Sequence, residues 1–215
     1  MKLLDITRKP VCCKACFKDF TPSFSRMLLE KEPFLCDECI SEIQKELVVK
    51  DTFGVKTTFL SNYDGILKNW LMNYKEYGDI MLAPCFLHVF LPLLRLKFPG
   101  YIYVPLPSAK ERIEHRGFDH LPEMLKASNL PYCLALEKVS DGPEQKTLKA
   151  SKRFKSKGIR LTSIAHELEG KKIVLFDDVM TSGSTFEQSY HEICQIHPKK
   201  VVGLILLDNF DKGME

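Results

Sequence analysis

The stretch Lys172-Ile173-Val174-Leu175-Phe176-Asp177-Asp178-Val179-Met180-Thr181-Ser182-Gly183-Ser184-Thr185 constrains the fold more than any other part of this chain. Ile173 to Phe176 is a short apolar run preceded by Gly170 and lysines, the pattern of a strand covered on both faces in a parallel sheet. Asp177 and Asp178 then fall at the strand's carboxyl end, the edge where open α/β sheets bind ligands. Two adjacent carboxylates can accept hydrogen bonds from a pair of sugar hydroxyls or hold a divalent cation through oxygen. The loop Thr181 to Thr185 supplies hydroxyls, backbone amides freed by a permissive Gly183, and the orphan N–H groups of a helix start, which together suit a phosphate monoester. Asp-Asp alone would pass for a capped strand end. The unbroken order of strand, acids and hydroxyl-rich loop points instead to a functional loop. It is not a nucleotide-triphosphate P-loop, because no Gly-Lys-Ser/Thr closes it, and a single glycine excludes a dinucleotide fingerprint.

This order resembles the type I phosphoribosyltransferases. The resemblance implies that Asp177 and Asp178, the candidate catalytic pair, take the ribose hydroxyls of phosphoribosyl pyrophosphate (PRPP). It also implies that Thr181, Ser182, Gly183, Ser184 and Thr185 take the 5-phosphate.

Eight cysteines are many for a reducing compartment. Four of them form Cys13-x-x-Cys16 and Cys36-x-x-Cys39, the spacing of a four-thiolate structural zinc site in which each knuckle aims two sulfurs at one tetrahedral ion. Cys12 could replace Cys13, but the gap to Cys16 favours Cys13. Two disulfides are the alternative, disfavoured by the compartment. That compartment is inferred from Met1-Lys2-Leu3-Leu4-Asp5, which has no apolar core of secretory-signal length. Four thiolates leave no open coordination position, so the expected Zn²⁺ is structural. Cys85, Cys133 and Cys194 stand apart among apolar neighbours and read as core.

A chain of 215 residues with formal charge +3 can bury one substantial core plus a small appendage, and the mild charge does not by itself call for nucleic acid. The expected organisation is a zinc-binding head with a linking helix over residues 1–50 and a phosphoribosyltransferase-like domain over 51–215. Helices are expected at Glu38 to Lys50, Asp64 to Tyr77, Asp119 to Ala127 and Glu187 to Ile196. Strands are expected at Thr57 to Tyr63, Tyr101 to Val104, Cys133 to Leu136, Ile173 to Phe176 and Val201 to Leu207, with Glu111 to Gly117 as a charged turn. This alternation implies a mostly parallel sheet with helices on both faces. Met81 to Phe98, the most apolar segment, is broken by Pro84, His88, Pro92, Arg95 and Lys97. It reads as a bent core helix and not a membrane span. Residues 139–160 form a long polar connection, and Lys146 to Arg160 contains no acid. That run, with Phe154 inside it, could track a single-stranded nucleic acid backbone.

A four-cysteine head followed by the acid loop resembles the ComF family, the competence-associated phosphoribosyltransferase-like proteins, over essentially the whole chain. Tyr74-Lys75-Glu76-Tyr77-Gly78-Asp79, Val104-Pro105-Leu106-Pro107 and Arg116-Gly117-Phe118 look like family segments. Lys138, Gln145, Leu148 and Arg153 fall on the spacing of its basic loop. Asp119-His120 departs from an expected Asn-Gln, Lys138 from Arg and Ser156 from Asn. The resemblance implies an α/β fold of type I phosphoribosyltransferase kind. It implies PRPP with Mg²⁺ as ligand, the turn at Pro107 and Ser108 facing the pyrophosphate, and Lys138, Lys146 and Arg153 closing over it. It further implies a cytoplasmic factor in the uptake of transforming single-stranded DNA, partnered with a ComFA-like helicase/translocase and associated with the membrane through that machinery. Phe210 is the sole candidate reader of a base and is as readily a packing residue, so the acceptor and the retention of turnover stay open.

Overall fold

The structure, a computed structural model, describes residues 10–30, 33–139 and 158–210. Its centre is a five-stranded sheet in the order β3 (Val48–Thr52), β4 (Val55–Asn62), β9 (Lys200–Asp208), β8 (Lys172–Met180), β5 (Tyr101–Pro105). β4, β9, β8 and β5 pair in parallel, and β3 is an antiparallel edge strand joined to β4 by the two-residue turn Phe53-Gly54, both at positive φ. Ile173 to Phe176 in β8 and Leu204 to Leu207 in β9 are fully buried. Consecutive buried residues point to opposite faces, so both faces of the sheet's centre are covered.

The parallel strands are joined by helices, as right-handed crossovers require. The chain leaves β4 through α3 (Gly65–Glu76), a 3₁₀ turn at Ile80–Leu82, α4 (Cys85–His88) and α5 (Leu91–Lys97), and reaches β5 at the far edge. It then returns strand by strand, through α6 (Lys110–Arg116) and α7 (His120–Ala127) to β8, and through α8 (Ser184–Cys194) to β9. α8 lies close on the sheet because Gly203 has no side chain. A Cβ there would come within 2.7 Å of the Phe186 ring and 2.4 Å of Thr57 Oγ1.

Met81 to Phe98 is bent as its prolines require, with Pro84 capping α4 and Pro92 in the first turn of α5. No single helix among the described residues is long and apolar enough to cross a membrane. The bent pair Ile80–His88 and Leu91–Lys97 turns by 60°, and its Phe86, Leu87, Phe90 and Leu94 are buried in the core.

Four expectations need correction. The helix expected over Glu38 to Lys50 stops after one turn, α2 (Asp37–Ser41), and the link into the sheet has no regular structure; β-branched Val48 and Val49 instead join the edge strand β3. The charged turn at Glu111 to Gly117 is a helix, α6, ended by Gly117 in the left-handed conformation. The strand expected at Cys133 to Leu136 lies at Leu136–Lys138 (β6) and pairs antiparallel with β7 (Ile159–Leu161), outside the main sheet. The strand bearing the acids runs on through Met180, since β9 still pairs with it there.

Cys13, Leu35, Cys36, Cys39 and Ile43 of the head belong to one buried cluster with the body. Two small strands, β1 (Val11–Cys12) and β2 (Asp19–Phe20), and two helices, α1 (Phe24–Leu29) and α2, build the head. Glu30 reaches His88 Nε2 of α4 at 3.2 Å, and the Phe34 and His88 rings lie 4.5 Å apart.

Candidate functional site

Beyond Phe176, β8 loses its neighbour on one side, because β5 ends at Pro105 opposite that residue. Neighbouring residues of a strand point to opposite faces, yet Asp177 and Asp178 both line one cavity of about 670 Å³, which wraps round this free edge. The volume is that of a small-ligand site.

The two carboxylates are held differently. Asp178 is 3% exposed. Its Oδ2 accepts from Lys75 Nζ of α3 at 2.5 Å and pairs with His120 Nε2 of α7 at 2.8 Å. Burial would raise its pKa, but His120 and Lys75 outweigh burial and hold the carboxyl well below the usual range. Asp177 makes neither pair. Its Oδ1 accepts the Asp178 backbone N–H at 2.9 Å, and burial followed by the charge of Asp178 pushes its pKa up to about 7. Burial would lower the pKa of His120, but Asp178 and then Asp119 outweigh it and raise the value. The ring's other nitrogen, Nδ1, lies 3.3 Å from Ser108 Oγ, which itself donates to Asp119 Oδ1 at 2.9 Å.

The hydroxyl loop follows at the start of α8. Gly183, at φ +73, is the residue before its first turn, so the first-turn amides of α8 are left without intrahelical acceptors. A Cβ at Gly183 would meet the Phe53 ring at 2.5 Å and the Phe210 ring at 3.2 Å. The Phe53 and Phe210 rings also meet edge to face at 6.1 Å, so Phe210 braces the loop from outside the cavity.

Of the residues singled out from sequence, Asp177, Asp178, Thr181, Thr185, Pro107, Ser108 and Lys138 line the cavity together. Ser182, Gly183 and Ser184 shape the loop without lining it, and Lys146 and Arg153 lie outside the described residues. Sequence reasoning missed Lys75 and His120 as partners of Asp178, and Arg112 and Arg116 as cationic wall. Arg116 donates to the Lys75 carbonyl through Nε at 3.0 Å, and its buried Nη1 has no acceptor among the described residues. The signal for Lys75 and Arg116 lay in segments noted as family-like and that for His120 in a noted departure from the family, where the residues were read as markers and not as ligands.

The second candidate centre is the head. The sulfurs of Cys13, Cys16, Cys36 and Cys39 lie within 4.8 Å of one another, with Cys13–Cys39 at 3.9 Å and Cys16–Cys36 at 3.6 Å. A tetrahedral ion with metal–sulfur bonds of about 2.3 Å needs sulfurs about 3.8 Å apart, so the four could hold a metal. No pair is bonded, and exposed Cys12 stands outside the group. Backbone amides of Cys36 and Cys39 point at Cys13 and Cys36 Sγ, at 3.3 and 3.5 Å. Burial would raise the Cys13 thiol, but surrounding amides outweigh it and bring it down to about 7. Burial and then neighbouring sulfurs push Cys39 far above the usual thiol range. A bound cation relieves such crowding by displacing the protons.

No protein-family profile matches the chain. It is 26% identical over 155 residues to the competence protein ComFC of Streptococcus pneumoniae, covering 71% of this chain and 66% of that protein. With the competence protein ComFC of Bacillus subtilis it shares 27% over 152 residues, covering 70% and 60%. The matches span two thirds or less of these relatives' own lengths. The ComF resemblance read from the motifs thus agrees with this overall similarity to two ComFC proteins. Among solved structures, hypoxanthine phosphoribosyltransferase from Trypanosoma cruzi overlays 62% of this chain and 66% of its own at 15% identity, with a TM-score of 0.35.

Proposed function

We propose that this protein is a competence factor whose phosphoribosyltransferase-like domain binds PRPP or a related phosphorylated ribose, and that it assists uptake of transforming single-stranded DNA across the cytoplasmic membrane with a ComFA-like helicase/translocase. The observation that carries the ligand reading is the acid pair together with Thr181 and Thr185, the two ends of the hydroxyl loop, on one cavity of about 670 Å³. Similarity to two ComFC proteins supports the competence role. In this reading Asp177 and the remaining oxygen of Asp178 accept from the ribose hydroxyls, while Thr181 to Thr185 and the first amides of α8 take the 5-phosphate. The pyrophosphate faces Pro107 and Ser108, with Arg112, Arg116 and Lys138 supplying positive charge. Lys75 and His120 already neutralise Asp178, so the acids offer little net charge to a free dication. Mg²⁺ belongs with the pyrophosphate as part of the ligand.

The four-cysteine cluster holds Zn²⁺ as a structural ion, and the protein works in the cytoplasm. The described ends of the polar connection 139–160 sit on the β6–β7 ribbon, where Val139 N–H donates to the Gly158 carbonyl at 3.0 Å. Those ends lie next to Lys138, which lines the cavity, and this supports reading the acid-free run Lys146 to Arg160 as a contact for single-stranded DNA.

A second reading, an active phosphoribosyltransferase displacing pyrophosphate from PRPP, is favoured by one observation. A niche of about 250 Å³ lined by Tyr63, Met72 and Asn209 adjoins the cavity, sharing Lys75, Glu76, Val179 and Thr181 with it, and could seat an acceptor. Calorimetry with PRPP and magnesium tests the shared premise. Heat of binding is expected for the parent and none for the Asp177→Ala, Asp178→Ala double variant, and a silent parent would sink both readings. Release of pyrophosphate in the presence of free bases separates turnover from binding alone.

A further inference from the structure

His120 stands at a junction that the acid pair and the pyrophosphate turn share. Its imidazole is 10% exposed, and its two nitrogens face opposite ways: Nε2 to Asp178 Oδ2 on β8, Nδ1 to Ser108 Oγ in the turn after β5. Ser108 is tied in turn to Asp119, the residue before α7, whose Oδ1 also lies 3.6 Å from His120 Nδ1. The backbone at His120 is pinned as well, because the buried Tyr74 hydroxyl donates to its carbonyl at 2.8 Å. Tyr74 packs between Phe86 and Phe118, with ring centroids 5.1 and 5.0 Å away, so the anchor itself has little room to move. β5 stops opposite Phe176 and makes no ladder bonds to the acids. One backbone bond, from Leu106 N–H to the Phe176 carbonyl at 2.9 Å, ties the start of the turn, and beyond it side-chain links hold Ser108 to the acid pair.

We infer that His120 is a positioning residue that fixes the spacing between the ribose-facing acids and the pyrophosphate-facing turn, so that it tunes affinity for a ligand carrying both groups. The inference rests on the PRPP reading above. A charged imidazole donates from both nitrogens on a rigid ring, whereas a glutamine on a flexible stem donates from one end only and cannot serve both Asp178 and a Ser108 hydroxyl that already donates to Asp119. A ligand with both groups gains from their correct spacing, because the second group binds at a high effective concentration once the first is seated. Fragments carrying one group each do not feel that spacing.

The test measures binding of three probes to the full chain by calorimetry with magnesium: PRPP, ribose 5-phosphate and inorganic pyrophosphate. For His120→Gln, PRPP affinity is expected to fall by about tenfold or more, while each fragment changes by less than about threefold. Asp119→Asn, which weakens the same link without lining the cavity, is expected to give the same pattern with a smaller PRPP loss. Equal loss for all three probes, or no loss for PRPP, overturns the inference while leaving the PRPP reading intact. Failure of the parent chain to bind any of the three removes the reading and the inference with it. Urea unfolding of both variants distinguishes a selective affinity change from loss of fold, and a PRPP loss that merely tracks the unfolded fraction also overturns the inference.

Discussion

The cysteine head and the acid cavity are both charged centres, but they are assembled in opposite ways. In the head, two tight knuckles bring four like residues together, and each knuckle's geometry is set by two intervening residues. In the cavity, α3, the turn after β5, α7 and β8 each contribute a different kind of side chain to one point, Asp178 Oδ2 and its surroundings. A centre built from local repeats depends on its ion for stability. One built from remote partners depends on the packing of the whole sheet.

Removing the zinc proposed for the cysteine cluster should therefore have the largest effect. A structural zinc contributes on the order of 10 kcal/mol, so a strong chelator or Cys36→Ser is expected to unfold the head. Hydrogen exchange would show residues 10–46 losing protection while β8 keeps its own, and a head that stays protected after chelation would break the contrast.

Within the cavity, the two acids should differ sharply. Asp178→Ala leaves Lys75 and His120 facing each other without a counter-charge and is expected to cost about 3–5 kcal/mol in urea unfolding. Asp177→Asn removes a carboxylate that burial already disfavours and should cost at most about 1 kcal/mol, while still weakening PRPP. Similar costs for both would show that the remote partners do not set the asymmetry.

Gly183→Ala tests the loop between these extremes. A left-handed φ and the Phe53 ring at 2.5 Å from the new Cβ should together cost about 1–3 kcal/mol, with Phe53→Ala relieving part of it. An alanine variant as stable as the parent would mean that the aromatic brace yields freely.

The most gradual effect is the dependence of stability on pH. Asp177 titrates near 7 in the fold against an ordinary 3.8, so between those values the folded state binds more protons and stability falls as pH rises. His120, raised above 6.5, contributes stability that is complete below that value and lost as pH rises through its folded pKa. Asp178, depressed, contributes above pH 3.8 and loses its contribution as pH falls through its folded value. The urea midpoint should therefore decline from pH 4 through neutrality, and Asp177→Asn should flatten the lower part of that decline. An unchanged slope in the variant would remove Asp177 as its source.

Much of this was legible in the residues. The run Ile173 to Phe176 announced a buried strand because four successive apolar residues need cover on both faces. Gly183 and its hydroxyl neighbours announced a helix start. Val48 and Val49 were misread as part of a helix, since alternating charges from Glu38 onward mask a strand whose pairing partner lies across a hairpin. The turn at Glu111 to Gly117 became a helix for the complementary reason, that a glycine able to end a helix also ends a turn.

By itself the sequence determined the cysteine cluster, the acid pair and its loop, because each depends on spacing within a few residues, where backbone geometry leaves few choices. Only the tertiary structure decided that Asp178 and not Asp177 is the paired carboxylate, that His120 links it to Ser108, and that Phe210 braces the loop from behind. Those outcomes depend on which distant segments the sheet order brings to the open end of β8, and that order is set by packing of the whole core.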